Sequence, residues 1–366
     1  MSFPPPNPHA RIKSLGSCIP LAGEATSGSR HGSGSIQGTP SGGRSKIPTN
    51  TASSLTAEEH GRHFLVNSHQ YLFPWDLVEA RRMDLFHKAV SLLRGQGTPS
   101  NGLHSAPLRP DQHLRILDLG TGTGLWVVEM ADHYAGRSEV WGVDLAPFQP
   151  HLIPSNAKFQ RLDIETQWQL GTASWDLIHI RCLNGAVRSW PSLYATVCSH
   201  LIPGVGHIEH LEIDWIPLKG AGPHLVEWSR TLLDCMDRAG RPLRVNSDTT
   251  TKALKDAGFG SVQVSRFHVP LSAKRDVKDA PRPTTPRALI TQLTGTEIGH
   301  VAENEALRDN KDGAKVWFPS VFAQWLEGLT LKPMLLAGYS LEAVYHLLAS
   351  VRQELEDPSI QAECTM

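Results

Sequence analysis

No run of about 18 apolar residues occurs in this 366-residue sequence, so a membrane-spanning helix is not expected. The amino terminus, Met1-Ser2-Phe3-Pro4-Pro5-Pro6, also lacks the apolar core of a secretory signal, and the expectation is a protein that is not secreted. Cysteine is scarce. Cys18, Cys182, Cys198, Cys235 and Cys364 are odd in number and widely spaced, which excludes a disulfide framework and any CxxC zinc pattern. They read as reduced thiols of a nuclear or cytoplasmic protein. Neither charge sign dominates: 35 Lys and Arg stand against 36 Asp and Glu, so direct nucleic-acid binding and membrane binding driven by overall charge are not expected. What is plentiful is glycine, at 31 residues, and proline, at 26, which implies that part of the chain does not pack.

The patterning divides the chain into five parts. Residues 1–59 are rich in Gly, Ser, Pro and Thr, with too few large apolar residues to offset ordering entropy, and read as a disordered tail. Residues 60–110 form a helical lead-in, with Val78, Met83, Phe86, Val90 and Leu93 at near-helical spacing, and a linker rich in Gly, Pro and Ser. Residues 111–270 alternate short apolar runs with helical patterns, the signature of an α/β fold with a doubly wound, mostly parallel sheet. Strands are expected at Arg115 to Leu119, Glu139 to Asp144, Lys158 to Leu162, Trp175 to Ile180, Gly206 to Ile216 and Ser261 to Val269. Residues 271–316 read as an inserted polar loop, and residues 317–366 as C-terminal helices.

Chemistry concentrates at Asp118-Leu119-Gly120-Thr121-Gly122-Thr123-Gly124, where a buried strand turns into a helix. Glycines there let the backbone turn sharply and a ligand approach, and the helix start offers free N–H donors. About 20 residues on, a second strand ends in Asp144, an acid placed to accept from two ribose hydroxyls. Leu125 stands where a dinucleotide fingerprint favours its third glycine, which argues against hydride transfer. At the end of the third strand Asp163 is placed to accept from an adenine amino group and Ile164 to lie against the ring. The strand from Trp175 to Arg181 ends beside the remaining part of such a ligand.

Together these motifs resemble the Rossmann-like class I S-adenosylmethionine-dependent methyltransferases. Longer strings narrow the resemblance to the fungal LaeA-like methyltransferases: Tyr71-Leu72-Phe73-Pro74, Arg82-Met83-Asp84-Leu85-Phe86-His87-Lys88, Gly142-Val143-Asp144-Leu145-Ala146-Pro147, Ser174-Trp175-Asp176-Leu177-Ile178-His179, Ile208-Glu209-His210-Leu211-Glu212-Ile213-Asp214-Trp215 and Leu329-Thr330-Leu331-Lys332-Pro333-Met334. The resemblance implies S-adenosyl-L-methionine as cofactor, held by Asp118, Gly120, Thr121, Gly122, Gly124, Asp144, Leu145, Asp163, Ile164 and Arg181. It implies two kinds of protein, regulators of secondary metabolism that act with velvet-family partners in the nucleus and tailoring enzymes for small metabolites. A catalytically weak cofactor-binding scaffold is a third reading. The family's fold has a seven-stranded sheet with an antiparallel last strand, and the end of the chain at Met366 leads to the expectation that this strand is missing.

Methyl transfer is an in-line displacement, so the protein must align the acceptor and supply a base where the acceptor carries a proton. Candidate bases near the fourth and fifth strands are His179, His207, Glu209, His210, Glu212 and Asp214, with His210 and Glu212 put forward as catalytic. The run His207-Ile208-Glu209-His210 invites a metal reading, but successive strand positions point to opposite faces, and no metal is expected.

Overall fold

The computed structural model describes residues 56–66, 71–95, 100, 102–109, 111–146, 148–272 and 313–366. Nearly all of the tail and of the inserted polar loop therefore lie outside the described residues. Within the span expected to be tail, β1 (Thr56–Glu59) pairs antiparallel with β2 (Arg62–Leu65). The turn between them, His60-Gly61, carries positive φ at both residues (56° and 77°), as a two-residue hairpin turn requires. Asn-Gly is the usual signature of such a turn, and His-Gly conceals it.

Helix α1 (Leu77–Gly95) follows, and then β3 (Leu114–Leu119), α2 (Leu125–His133), β4 (Ser138–Asp144), β5 (Ala157–Arg161), β6 (Leu177–Arg181), α3 (Trp190–His200) and β7 (His207–Leu211). The five strands form a parallel sheet in the order β5-β4-β3-β6-β7. The two-residue side-chain period explains the layers. Ile116, Val140 and Leu177 pack on one face with Trp126 and Met130 of α2. Leu117, Leu119, Ile178 and Ile180 pack on the other with Leu193 and Val197 of α3. The sheet is thus doubly wound, and the carboxyl ends of its central strands meet at the turn into α2.

Two expected strands are redrawn. The span Gly206 to Ile216 divides into β7 and β8 (Asp214–Lys219), because Glu212 turns out of the ladder to take the N–H groups of Leu183 (2.7 Å) and Asn184 (3.1 Å). After α4 (Pro223–Arg238) and α5 (Ser247–Asp256), the span Ser261 to Val269 contributes only β9 (His268–Pro270). Helices α6 (Gly313–Leu336) and α7 (Leu341–Glu356) complete the C-terminal pair.

The expectation of a missing last strand is wrong. Residues Glu363–Thr365 form β10, the middle strand of an antiparallel sheet β8-β10-β9. Cys364 and Met366 there are fully or nearly fully buried, and Met366 and Phe267 exchange backbone N–H···O bonds of 2.9 Å. Three residues after the mixed run Ser359-Ile360-Gln361-Ala362 are too short to show a strand period.

Around this second sheet α1, α4, α6 and α7 build the largest core, including Trp215, Trp228, Phe322 and Leu348. Glu354 of α7 accepts from the N–H groups of His224 and Leu225 at the start of α4, which ties the C-terminal pair to the rest. Among the described residues Cys182, Cys235 and Cys364 are free thiols. No described helix is long and apolar enough to cross a membrane.

Candidate active site

A cavity of about 1500 Å³ including its mouth opens at the carboxyl ends of β3, β4, β5 and β6. Its wall includes Asp118, Gly120, Thr121, Gly122, Asp144, Leu145, Asp163, Ile164 and Arg181, nine of the ten expected cofactor residues. Gly124, the tenth, is the N-cap of α2 with φ 80°, and a Cβ there would sit 2.5 Å from the Phe159 ring. Its task is the shape of the turn.

The turn is held from two sides. The Gly122 N–H donates to Asp144 at 2.8 Å, and the Thr123 hydroxyl donates to Asp84 of α1 at 2.6 Å. Asp144 also accepts from the Ala146 N–H at 3.1 Å, yet burial outweighs both bonds and raises its pKa to about 6. Asp118 is 4% exposed and meets Nδ1 of His179 at 2.7 Å, while the His179 ring stacks on Trp126 at 4.1 Å. Asp163 accepts from the Glu165 N–H at 2.9 Å, a turn bond that coexists with its place on the wall.

Arg181 ends β6. Both of its terminal nitrogens donate to Nδ1 of His87 at 3.2 Å, and among the described residues no carboxylate lies within ion-pair distance of it. The next residue, Cys182, is held at φ 54°, a left-handed conformation rare for a non-glycine residue and common at functional sites. Burial pushes its thiol pKa up, so it is not a ready nucleophile.

The two catalytic candidates are separated. Glu212 lines the cavity, and His210 does not. His210 stands behind it, Nε2 at 2.9 Å from Glu212 and Nδ1 at 2.9 Å from the Tyr194 hydroxyl, with Trp190 against its ring at 4.4 Å. Its role as a group touching substrate is therefore withdrawn. His179, His207, Glu209 and Asp214 are also off the wall: Glu209 is bound by Arg94 and by the Ser105 N–H, and Asp214 accepts from its neighbour Ile216. Among the described residues no group of three or more His, Cys, Asp or Glu is placed to hold a metal ion.

Periodicity missed much of the wall. Tyr71, Phe73, Trp75, Glu79, Arg82, Met83 and Phe148 all line it, as do Trp215 and Trp325. The strings Tyr71 to Pro74 and Arg82 to Lys88 were the available signal, since helical spacing alone reads Phe86 and Met83 as ordinary core.

A family model described as a methyltransferase domain matches residues 92–264. The secondary metabolism regulator LAE1 of Cochliobolus heterostrophus is 42% identical over 209 residues, 55% of this chain and 66% of that protein. The regulator laeA of Fusarium oxysporum is 31% identical over 309 residues, 81% of this chain and 85% of that protein. The chain belongs to the LaeA family of secondary metabolism regulators. The LAE1 protein of Pyricularia oryzae is 35% identical over 59% of this chain and 67% of its own length.

As a LaeA-like methyltransferase the chain uses S-adenosylmethionine, and its residues fit that group. The half-buried carboxylate of Asp144 suits a ribose diol. Gly142 lies where a Cβ would come within 2.7 Å of the Thr121 hydroxyl and 2.8 Å of Phe159, so the cradle tolerates no side chain. The Thr121 hydroxyl is itself buried without a partner, a group that a bound ligand can satisfy.

Proposed function

We propose that this chain is a LaeA-type regulator of fungal secondary metabolism that methylates an acceptor in the nucleus or cytoplasm and acts with velvet-family partners. The observation that carries the reading is the 31% identity to the regulator laeA of Fusarium oxysporum, which extends over 85% of that protein and beyond the methyltransferase domain.

When bound, the cofactor supplies an electrophilic methyl group on a sulfonium. Asp144 accepts from the ribose hydroxyls, Asp163 and Ile164 border the adenine, and the Gly120 to Gly124 turn with Leu145 shapes the space between. Arg181, held by His87, meets the methionine carboxylate, and Asp118 the amino group, since each has the opposite charge. Glu212 takes the acceptor's proton where one must leave, and His210 positions Glu212. The aromatic part of the wall favours a second reading, a tailoring enzyme for a small metabolite, because such a surface suits a flat acceptor.

Calorimetric titration with S-adenosylhomocysteine tests the cofactor assignment: binding by the unaltered chain and its loss in Gly122→Asp are expected, and no binding by either overturns it. Deleting the gene separates the two roles. Loss of many unrelated metabolites together with copurification of a velvet protein supports the regulator, and a single unmethylated intermediate supports tailoring.

A further inference from the structure

We propose that the part of the cavity walled by Phe86, Trp215 and Trp325 takes a flat, largely apolar methyl acceptor that is neutral or anionic and offers an oxygen to the Arg82 guanidinium. The proposal rests on the methyltransferase reading above and names its substrate class.

These walls come from α1, β8 and α6, not from the glycine turn, so they add a compartment to the cofactor cradle. The Trp325 ring lies 5.2 Å from Phe86 and 5.1 Å from Trp215, edge-on in both cases, so that the three rings form one continuous apolar wall of the cavity. A flat group gains most from such a surface.

Cationic acceptors are excluded by what already occupies the rings. The Arg82 guanidinium carbon stands 3.8 Å from the Trp325 ring centre and 5.9 Å from that of Phe86, and Arg181 stands 5.8 Å from the Phe86 centre. The attraction that an aromatic cage would offer an ammonium is thus taken up by the protein's own cations. The carboxylate beside them, Glu79, is 3% exposed and meets Arg82 at 2.7 Å and Arg62 at 3.9 Å. It has little left to give a second cation.

The unmet groups are donors. Arg82 is 4% exposed and gives Nε and Nη2 to Glu79, while its Nη1 is buried without a partner. Trp75, also on the wall, leaves its Nε1 unpaired. Buried donors without acceptors are rare in folded proteins, and a ligand oxygen is the group that resolves them.

The test uses prodan, a flat fluorescent naphthyl ketone, titrated into the full chain saturated with S-adenosylhomocysteine. Saturable one-site binding with blue-shifted emission is expected. Replacing the pair together, Glu79→Gln with Arg82→Met, avoids stranding a buried charge and should weaken prodan roughly tenfold or more, as loss of a hydrogen bond to a charged donor does. The same naphthyl amine without its ketone should bind both forms alike, and N-methylquinolinium should not displace prodan. Trp325→Leu, which leaves the ion pair in place, should also weaken prodan severalfold, and it decides the matter if the double variant fails to fold. Unsaturable binding, equal affinity of the folded variants or displacement by quinolinium overturns the proposal. Failure of the unaltered chain to bind S-adenosylhomocysteine counts instead against the cofactor assignment, while prodan titration still reports on the compartment.

Discussion

Nδ1 of His87 receives two N–H groups of Arg181, each at 3.2 Å, while its Nε2 stands 3.0 Å from Glu129. A guanidinium only donates, so Nδ1 is unprotonated and the Nε2 proton points to Glu129. Burial, helped by the Arg181 charge and opposed by Glu129, holds the His87 pKa below its usual value. His87 therefore aims Arg181 into the cavity without neutralising it. Arg181→Met should reduce S-adenosylhomocysteine affinity by roughly 1.5–3 kcal/mol in calorimetry, and His87→Phe by less, because the charge remains. Full affinity in Arg181→Met would remove Arg181 from the cofactor site.

Asp144 gives the site a pH dependence. Its folded pKa of about 6 lies above the ordinary value of 3.8, so the folded protein keeps a proton that the unfolded chain releases. Stability from this group is full below pH 3.8 and is lost as pH rises from there through about 6. Ribose binding has the opposite trend, since the ionised carboxylate accepts both hydroxyls. S-adenosylhomocysteine affinity should rise through about pH 6, and Asp144→Asn should flatten that rise while raising thermal stability at neutral pH. A rise that persists in the variant would assign it to another group.

Two glycines separate backbone strain from crowding. Gly124 and Gly136 both have positive φ, 80° and 73°, but a Cβ meets Phe159 at 2.5 Å in the first and nothing within 4 Å in the second. Gly136→Ala should cost about 1 kcal/mol from conformation alone, and Gly124→Ala distinctly more, measured by denaturant unfolding. Equal losses would mean that Phe159 yields freely.

The C-terminal strand is testable by deletion. Removing Glu363 to Met366 takes away the strand that joins β8 to β9 and the reciprocal bonds between Met366 and Phe267. The melting temperature should fall by on the order of 10 °C, with faster amide exchange at Val269.

Glu212 has a charge and a bonding role that one substitution can separate. Glu212→Gln keeps an oxygen for the N–H groups of Leu183 and Asn184, so the Cys182 to Asn184 turn and cofactor affinity should survive. Methyl transfer to a protonated acceptor should fall by about 10²-fold or more in kcat. His210→Phe should lower kcat less, since His210 reaches the cavity only through Glu212. An unchanged kcat in Glu212→Gln would make the residue a loop holder alone.

Much of the cavity wall at the strand ends was legible along the chain because it is local. The glycine turn, Asp144 and Asp163 lie at strand ends whose apolar runs announce them, and backbone geometry alone dictates their spacing. The hairpin at His60-Gly61 and the break at Glu212 were not legible, because each depends on a turn conformation or a distant N–H that no period records. The strand at Glu363 was hidden for the same reason, since three residues acquire a strand's identity only from β8 and β9 on either side.

The sequence by itself determined the α/β order, the glycine turn and its two following acids, since each follows from local periodicity and chain geometry. Only the tertiary structure decided that Arg181 rests on His87, that Glu212 rather than His210 reaches the cavity, and that Phe86, Trp215 and Trp325 form one wall. Those relationships join residues of α1, β6, β8, α6 and the break between β7 and β8 that lie far apart along the chain, and for Phe86, Trp215 and Trp325 packing in a shared core is what brings them together.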